Sequence, residues 1–262
     1  MPELPELEIF RRYVDSTSLH QKIETIEVKN GKVLGGVSAG GLKRGLEGTK
    51  FESTRRHGKH LFVELGDGRW LLLHFGMTGG LKYYRDADEE PAHARVLISF
   101  RNGYRLAFDD QRLFGTVDLI EDPDGYIQEH KLGLDPLDLD FPAFRERLEG
   151  RRGEIKATLM NQRIFAGIGN IYSDEILFQV CLHPKTSVGR LDEVAFHDLH
   201  EQTERVLRAA IERGADSGGF PESFLLPYRQ EGADCPRSNG KIHKTKAAGR
   251  TAYYCPTCQP RI

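Results

Sequence analysis

The chain has 262 residues, 39% hydrophobic and 29% charged, with a formal net charge of −2 at pH 7. That length can hold one large or two modest cores, and the mixed composition excludes a disordered or collagen-like chain. No run approaches the roughly 18 apolar residues of a membrane span, and the acidic start (Glu3, Glu6, Glu8) lacks the apolar stretch of a secretion signal, so no membrane association and a cytoplasmic compartment are expected. The net charge argues weakly against a nucleic-acid partner, but a sum hides local patches: from Cys235 onward there are six Lys or Arg and no Asp or Glu.

The chain opens MPELPELEIF, where proline suits the first turn of a helix because its missing N–H would be unpaired there anyway. Leu4, Leu7, Phe10 and Val14, with Ile9 and Tyr13 beside them, recur at helical spacing and predict a helix from about Pro2 to Ser16. Pro2 has a second property. A small residue after the initiator methionine usually lets that methionine be removed, and a freed Pro2 is a secondary amine, which can act as a nucleophile.

The stretches KIETIEV, KHLFVEL, RWLLLHF, ARVLISF, YRLAFDD and GTVDLI follow, rich in β-branched and aromatic residues and separated by turn signals such as GDGR, GMTGG and RNGY. They predict an antiparallel sandwich or barrel ending near residue 125. Lys59 falls in one of these strands, where a lone lysine ordinarily snorkels to solvent. HKLGLDPLDLDFPAF is too interrupted by proline and aspartate to extend the sheet, and the linker is placed there. Helical patterns come next: AFRERLEG, EIKATLMNQRIFAG, NIYSDEILFQV and LDEVAFHDLHEQTERVLRAAIERG. The expected class is α+β, with a β-sandwich domain over 1–130, a helical domain over 131–230 and a terminal hairpin over 231–262.

Within the helical part, the two glycines of AGIGN break a helix into a turn, and Asn170 stands at the next helix start, where its side chain and free backbone N–H groups can meet a phosphate. From this segment alone, a plain helix-turn-helix capped by Asn170 is the better reading. Cys181 reads as a small buried hydrophobe. In the tail, Cys235 and the Cys255-Pro-Thr-Cys258 knuckle offer three thiolates, and Ser238 stands where a second knuckle needs its cysteine. Two outcomes stay open: zinc completed by His243 or water, or a metal-free hairpin. No catalytic cofactor is expected.

Taken in order, PELPE at the start, Lys59, QRIFAGIGNIYSDEILF and GRTAYYCPTCQ resemble the formamidopyrimidine-DNA glycosylase / endonuclease VIII family of base-excision repair enzymes, over essentially the whole chain. The resemblance implies a β-sandwich, a helix-two-turns-helix and a zinc-finger-like hairpin. It implies a monomer of bacterial or archaeal type that acts on damaged double-stranded DNA as a glycosylase and AP lyase. Pro2 would attack C1′ of the damaged nucleotide, and Glu3 would protonate the sugar ring oxygen as the acid/base, with Glu6 in support. Lys59, Asn170 and Arg250 would hold phosphates, with His74 and Lys156 as further DNA-binding positions. Met77, Arg112 and Phe114 would fill the gap left by the extruded base, a set that favours the formamidopyrimidine branch; without the resemblance Met77 and Phe114 read as ordinary core.

Three positions depart from the family pattern. Ser238 replaces a zinc ligand, Leu113 stands where a second arginine is frequent, and RGADSGGFPESFLLPYRQ is shorter than the lesion-capping loop of enzymes that excise 8-oxoguanine. A non-catalytic binder of damaged DNA is the alternative, and an intact Pro2-Glu3 pair is what such a binder would not need. A zinc-ribbon RNA-binding protein would leave the N-terminus unexplained.

Overall fold

The computed structural model describes residues 1–261. It separates into two compact units: Met1–Pro2 with Glu6–Lys131, and Glu3–Pro5 with the chain from Leu132 onward. The boundary falls inside the stretch expected as linker. No helix among the described residues is long and apolar enough to cross a membrane.

Helix α1 (Leu4–Thr17) starts two residues later than its spacing predicts, with Pro5 in its first turn. Leu7 and Val14 are fully buried. The first unit is an antiparallel sandwich. One sheet runs β1 (Ile23–Val28), β6 (Ala94–Phe100), β7 (Arg105–Asp109), β5 (Gly80–Tyr84); the other runs β2 (Phe51–His57), β3 (His60–Leu65), β4 (Trp70–His74), β8 (Thr116–Ile120). Ile26, Val96, Ile98 and Phe108 of the first sheet share a core with Leu61, Val63, Leu71 and Leu73 of the second. Phe62 and Leu72 are buried too, and Tyr126 of α3 (Pro123–Glu129) lies edge-on to Phe62, ring centroids 6.0 Å apart.

The runs read as strands are strands, but two more were illegible. Strand β2, FESTRRH, has one fully buried residue and six half-buried ones, so period-2 burial is absent. Strand β5, GLKYY, likewise lacks apolar alternation. Helix α2 (Ala39–Leu46) contains three glycines and forms nonetheless, because Ser38 Oγ accepts from the Gly41 N–H and Leu42 and Leu46 are buried. One placement is corrected: Lys59 lies in the two-residue turn between β2 and β3, outside both strands. His57 pairs with His60 across it, and Gly58, at φ +54°, supplies the left-handed first turn position that a type II′ hairpin requires.

The second unit packs α4 (Phe141–Leu148), α5 (Ile155–Met160), α6 (Asn170–Gln179) and α7 (Glu193–Glu212) around Leu4, Phe144, Leu159, Phe165, Tyr172 and Val206. The helix expected over 154–167 ends at Met160. Gln162 holds the following turns instead: its Nε2 donates to the carbonyls of Met160 (2.8 Å) and Ile168 (2.7 Å), and its Oε1 accepts the Gly167 N–H at 2.9 Å. A single amide thereby satisfies three backbone groups that a helix would have satisfied internally. Cys181 is also corrected, being exposed rather than buried. It follows α6 in the left-handed region (φ +57°), and the Leu182 N–H reaches back to the Leu177 carbonyl at 3.0 Å, the bond of a Schellman helix end. The hairpin β9 (His243–Ala247) and β10 (Arg250–Tyr254) belongs to this unit, and Cys235, Ile242 and Cys255 pack with Phe178 of α6.

Candidate active site and nucleic-acid interface

In the first unit Pro2 and Glu6 are both half-buried at the head of α1. Lys59 stands in its turn close enough to His74 to hold that imidazole below its ordinary pKa, in addition to the larger effect of burial. His60, whose ring lies 5.0 Å from that of His74, is pushed down to about 3 by burial and by the neighbouring His74, His57 and His130. Both rings are therefore neutral at pH 7, and Lys59 supplies the fixed positive charge here.

Met77 and Phe114 are 42% and 54% exposed, which excludes ordinary core for either. Met77 follows β4 and Phe114 precedes β8, strands that pair from Trp70–Ile120 to His74–Thr116, so the pairing brings the two loops together. Gly76 makes the closest approach, because a Cβ there would lie 2.4 Å from the Phe114 carbonyl carbon, and its φ of +54° is left-handed. The Arg112 guanidinium stacks over the Phe114 ring at 4.9 Å. The result is an exposed methionine, arginine and phenylalanine on adjoining loops, a shape suited to entering a base stack.

In the second unit, Glu3 is 1% exposed. Its Oε2 accepts the N–H groups of Gly169 (2.8 Å) and Tyr172 (3.3 Å), and its Oε1 accepts that of Ile171 at 2.9 Å. The Leu4 N–H donates to the Gly167 carbonyl at 3.1 Å, fixing the same segment. Gly169 must be glycine, since a Cβ there would fall 2.3 Å from the Glu3 carboxyl carbon. The start of α6 was expected to offer its N–H groups to a phosphate; those of Gly169, Ile171 and Tyr172 are instead spent on Glu3. The Asn170 Oδ1 is buried without a hydrogen-bond partner.

Lys156 is placed differently from its expected DNA-facing role. It is fully buried, its Nζ bonded to Asp174 Oδ1 (2.6 Å), Ser173 Oγ (2.7 Å) and the Asn170 carbonyl (3.1 Å). Burial lowers its pKa against the pull of Asp174. Arg229 completes the network by donating to Asp174 Oδ2 at 2.8 Å and stacking over Tyr253 of β10 at 4.7 Å. Lys156 therefore supports the Asn170 backbone and cannot reach a phosphate. Glu175, also buried, accepts the N–H groups of Leu225 (3.2 Å) and Leu226 (2.8 Å), and burial lifts it to about 7. Nothing in the sequence marks Asp174, Glu175 or Arg229 as a network, since charged residues beside a helix start ordinarily face water.

Arg250 is exposed at the first position of β10, opposite Ala247. Behind it, the sulfur atoms of Cys235, Cys255 and Cys258 lie within 4.8 Å of one another. Cys235 and Cys258 Sγ are 3.6 Å apart, and Ser238 Oγ is 3.5 Å from Cys255 Sγ. Tetrahedral zinc with Zn–S bonds of about 2.3 Å places sulfurs roughly 3.8 Å apart, so the three thiols fit that ion. His243 does not belong to this group: it lies exposed on β9, paired with Tyr254. Gln259, fully buried, braces the cluster by accepting the Cys255 N–H at 3.0 Å and donating to the Leu182 carbonyl at 2.8 Å.

Residues 1–117 match the family model of the formamidopyrimidine-DNA glycosylase N-terminal domain, and residues 132–221 match that of the formamidopyrimidine-DNA glycosylase H2TH domain. The chain is 34% identical over 273 residues to a formamidopyrimidine-DNA glycosylase of Pelotomaculum thermopropionicum, covering 99% of each. It is 35% identical over 277 residues to the one from Lactococcus lactis subsp. cremoris, covering both in full. A solved structure of the Lactococcus lactis enzyme in complex with Fapy-dG-containing DNA superposes with a TM-score of 0.90 at 32% identity, over 99% of this chain and 100% of that one. The same enzyme with abasic-site-containing DNA gives a TM-score of 0.88 at 32% identity, with the same coverage.

Proposed function

This chain belongs to the formamidopyrimidine-DNA glycosylase family, and on that premise we propose that it excises a damaged base through the amine of Pro2 and then cleaves the backbone. It is a bifunctional DNA glycosylase and AP lyase. The observation that carries the residue assignment is Glu3: a carboxyl directly after Pro2, buried, with both oxygens fixed by backbone N–H groups of 169–172. Such fixing aims an acid without reorganisation.

Once Met1 is removed, the Pro2 nitrogen attacks C1′ while Glu3 delivers a proton to the ring oxygen. The base leaves with the C1′–N bond electrons and takes up the proton released from the Pro2 nitrogen, whose lone pair then opens the sugar at the C1′–O bond. A secondary amine yields an iminium with no N–H to lose, so its charge persists and draws the electron pair of the C2′–H bond, the proton passing to water, as the 3′ phosphate departs. Lys59, His74, Asn170 and Arg250 hold phosphates, with Lys59 and Arg250 supplying charge and His74 and Asn170 hydrogen bonds. Met77, Arg112 and Phe114 occupy the space left by the extruded base. Structural zinc fits the thiolates of Cys235, Cys255 and Cys258, with water as the fourth donor. It would stiffen the hairpin that carries Arg250.

The test is intact-mass measurement followed by borohydride trapping on duplexes bearing a formamidopyrimidine or an abasic site. A chain lacking Met1 is expected to give a covalent adduct through Pro2. An active species that retains Met1, or trapping unaffected by blocking the terminal amine, ends the Pro2 assignment.

A further inference from the structure

The loops bearing Met77, Arg112 and Phe114 are exposed, yet they converge on one buried side chain that the chemistry above does not use. Asp110 follows β7 and is fully buried. Its backbone is held on both sides: its N–H donates to the His93 carbonyl at 3.0 Å, and its carbonyl accepts Arg95 Nε at 2.8 Å. Its carboxylate faces the loops. Oδ1 accepts the Thr78 hydroxyl (2.7 Å) and the Arg112 N–H (3.2 Å), and Oδ2 accepts the Gly115 N–H at 2.7 Å. The Thr78 hydroxyl oxygen also accepts the Arg112 N–H, at 3.2 Å.

One carboxylate thus ties the residue after Met77 to the two N–H groups that bracket Leu113 and Phe114. Between those anchors Leu113 adopts φ +58°, a left-handed backbone uncommon for a branched residue, while its side chain packs on the sandwich core. The turn that throws Phe114 outward depends on both ends being held. A carboxylate suits this place for a chemical reason: all the groups that meet it are donors. An amide would turn its NH2 toward at least one of them and lose that bond.

We propose that Asp110 is a positioning residue for base extrusion, locking the Met77 loop to the Arg112–Phe114 loop so that the three side chains enter the duplex as one rigid wedge. The proposal rests on the wedge role assigned under Proposed function and deepens it. Asp110 touches no DNA in this scheme and acts through Phe114 and Met77. Its loss should slow excision from duplex more than it weakens binding, because phosphate contacts stay in place while the insertion geometry is lost.

The experiment combines single-turnover excision on a formamidopyrimidine duplex with tryptic cleavage after Arg112, for Asp110→Asn, Phe114→Ala and the double variant. Asp110→Asn is expected to slow excision by about tenfold or more with Kd changed less than about threefold, and to be cut faster at Arg112 at near-native Tm. In the Phe114→Ala background the same change should cost less than about twofold, since the wedge is already gone. Thr78→Val should reproduce part of the loss and Thr78→Ser should restore it; this pair, at an exposed position, carries the test if Asp110→Asn fails to fold. Unchanged excision and unchanged cleavage in Asp110→Asn and Thr78→Val overturn the proposal, as does a loss undiminished by Phe114→Ala. A wild-type chain that binds but does not excise breaks the functional reading, and faster Arg112 cleavage in Asp110→Asn then still reports the loop lock.

Discussion

The first unit buries Asp110 and the second buries Glu3, and the two carboxylates use the same bond, a carboxylate oxygen accepting backbone N–H groups, to opposite ends. Asp110 draws its partners from loops of its own sandwich and remains behind them, so what it fixes is the shape of a surface. Glu3 reaches donors more than 160 residues away in sequence, and what those donors fix is Glu3 itself. A buried carboxylate is therefore no sign of a catalytic one. The direction of the dependence decides, and it is read from which partner has somewhere further to act.

The largest effect that tests this contrast is Glu3→Gln. Removing the acid while leaving phosphate contacts intact should slow excision by about 10²–10⁴-fold with DNA binding nearly unchanged, well beyond the loss in Asp110→Asn. Single-turnover kinetics and a binding isotherm for both variants measure the difference. Equal losses would mean that both carboxylates merely hold backbone.

Stability against pH separates the units next. Glu175 of the second unit is raised from 4.5 to about 7 by burial, so the native state binds more protons than the unfolded chain between those values. Its contribution is fully present below about 4.5 and is lost as pH rises through about 7. Glu8 of the first unit runs the other way: burial opposes it, but Arg11, Arg12 and Arg56 hold it down at about 2, so its contribution is present above about 4.5 and lost as pH falls through about 2. Glu175→Gln should remove a decline on the order of 2–3 kcal/mol between pH 4.5 and 7 in denaturant titrations. A wild-type profile with the same slope as the variant would show that Glu175 does not titrate there.

A smaller gain is expected from Ser238→Cys, where the second unit holds its hairpin by thiols rather than by a carboxylate. A fourth thiolate closes a tetrahedral site and should tighten zinc by about tenfold or more, worth about 1.4 kcal/mol in excess zinc. Elemental analysis and Tm with and without chelator report it. A Tm no less sensitive to chelator than wild type's would show that the fourth thiolate does not bind the ion.

The smallest effect compares one phosphate contact from each unit. Arg250→Ala and Lys59→Ala should each lower the slope of log affinity against log salt by about one, but only Lys59→Ala should also slow excision. A flat salt profile in wild type would remove nucleic acid as the partner.

The candidate site residues stood out one by one because their signals are local. Proline after a methionine, a carboxyl beside it, glycines that break a helix before Asn170 and a Cys-x2-Cys knuckle each declare themselves within a few positions. The apolar strands were legible for the same reason, since β-branched runs bury both faces. Strand β2 was not, because its charged residues are half-buried by partners elsewhere. His243 and Lys156 misled because composition cannot tell which way a side chain points: one lies exposed on the hairpin away from the thiols, the other lies buried against Asp174.

By itself, then, the sequence determined the kinds of group available and their order along the chain. Only the tertiary structure decided which groups are spent on holding others. The N–H groups at the start of α6 look free until Glu3 takes them, and Asp110 looks like a strand-end aspartate until two loops close on it. The physical reason is that a hydrogen bond between residues far apart in the chain leaves no periodicity or spacing behind. Its existence depends on burial, and burial is a property of the packed fold.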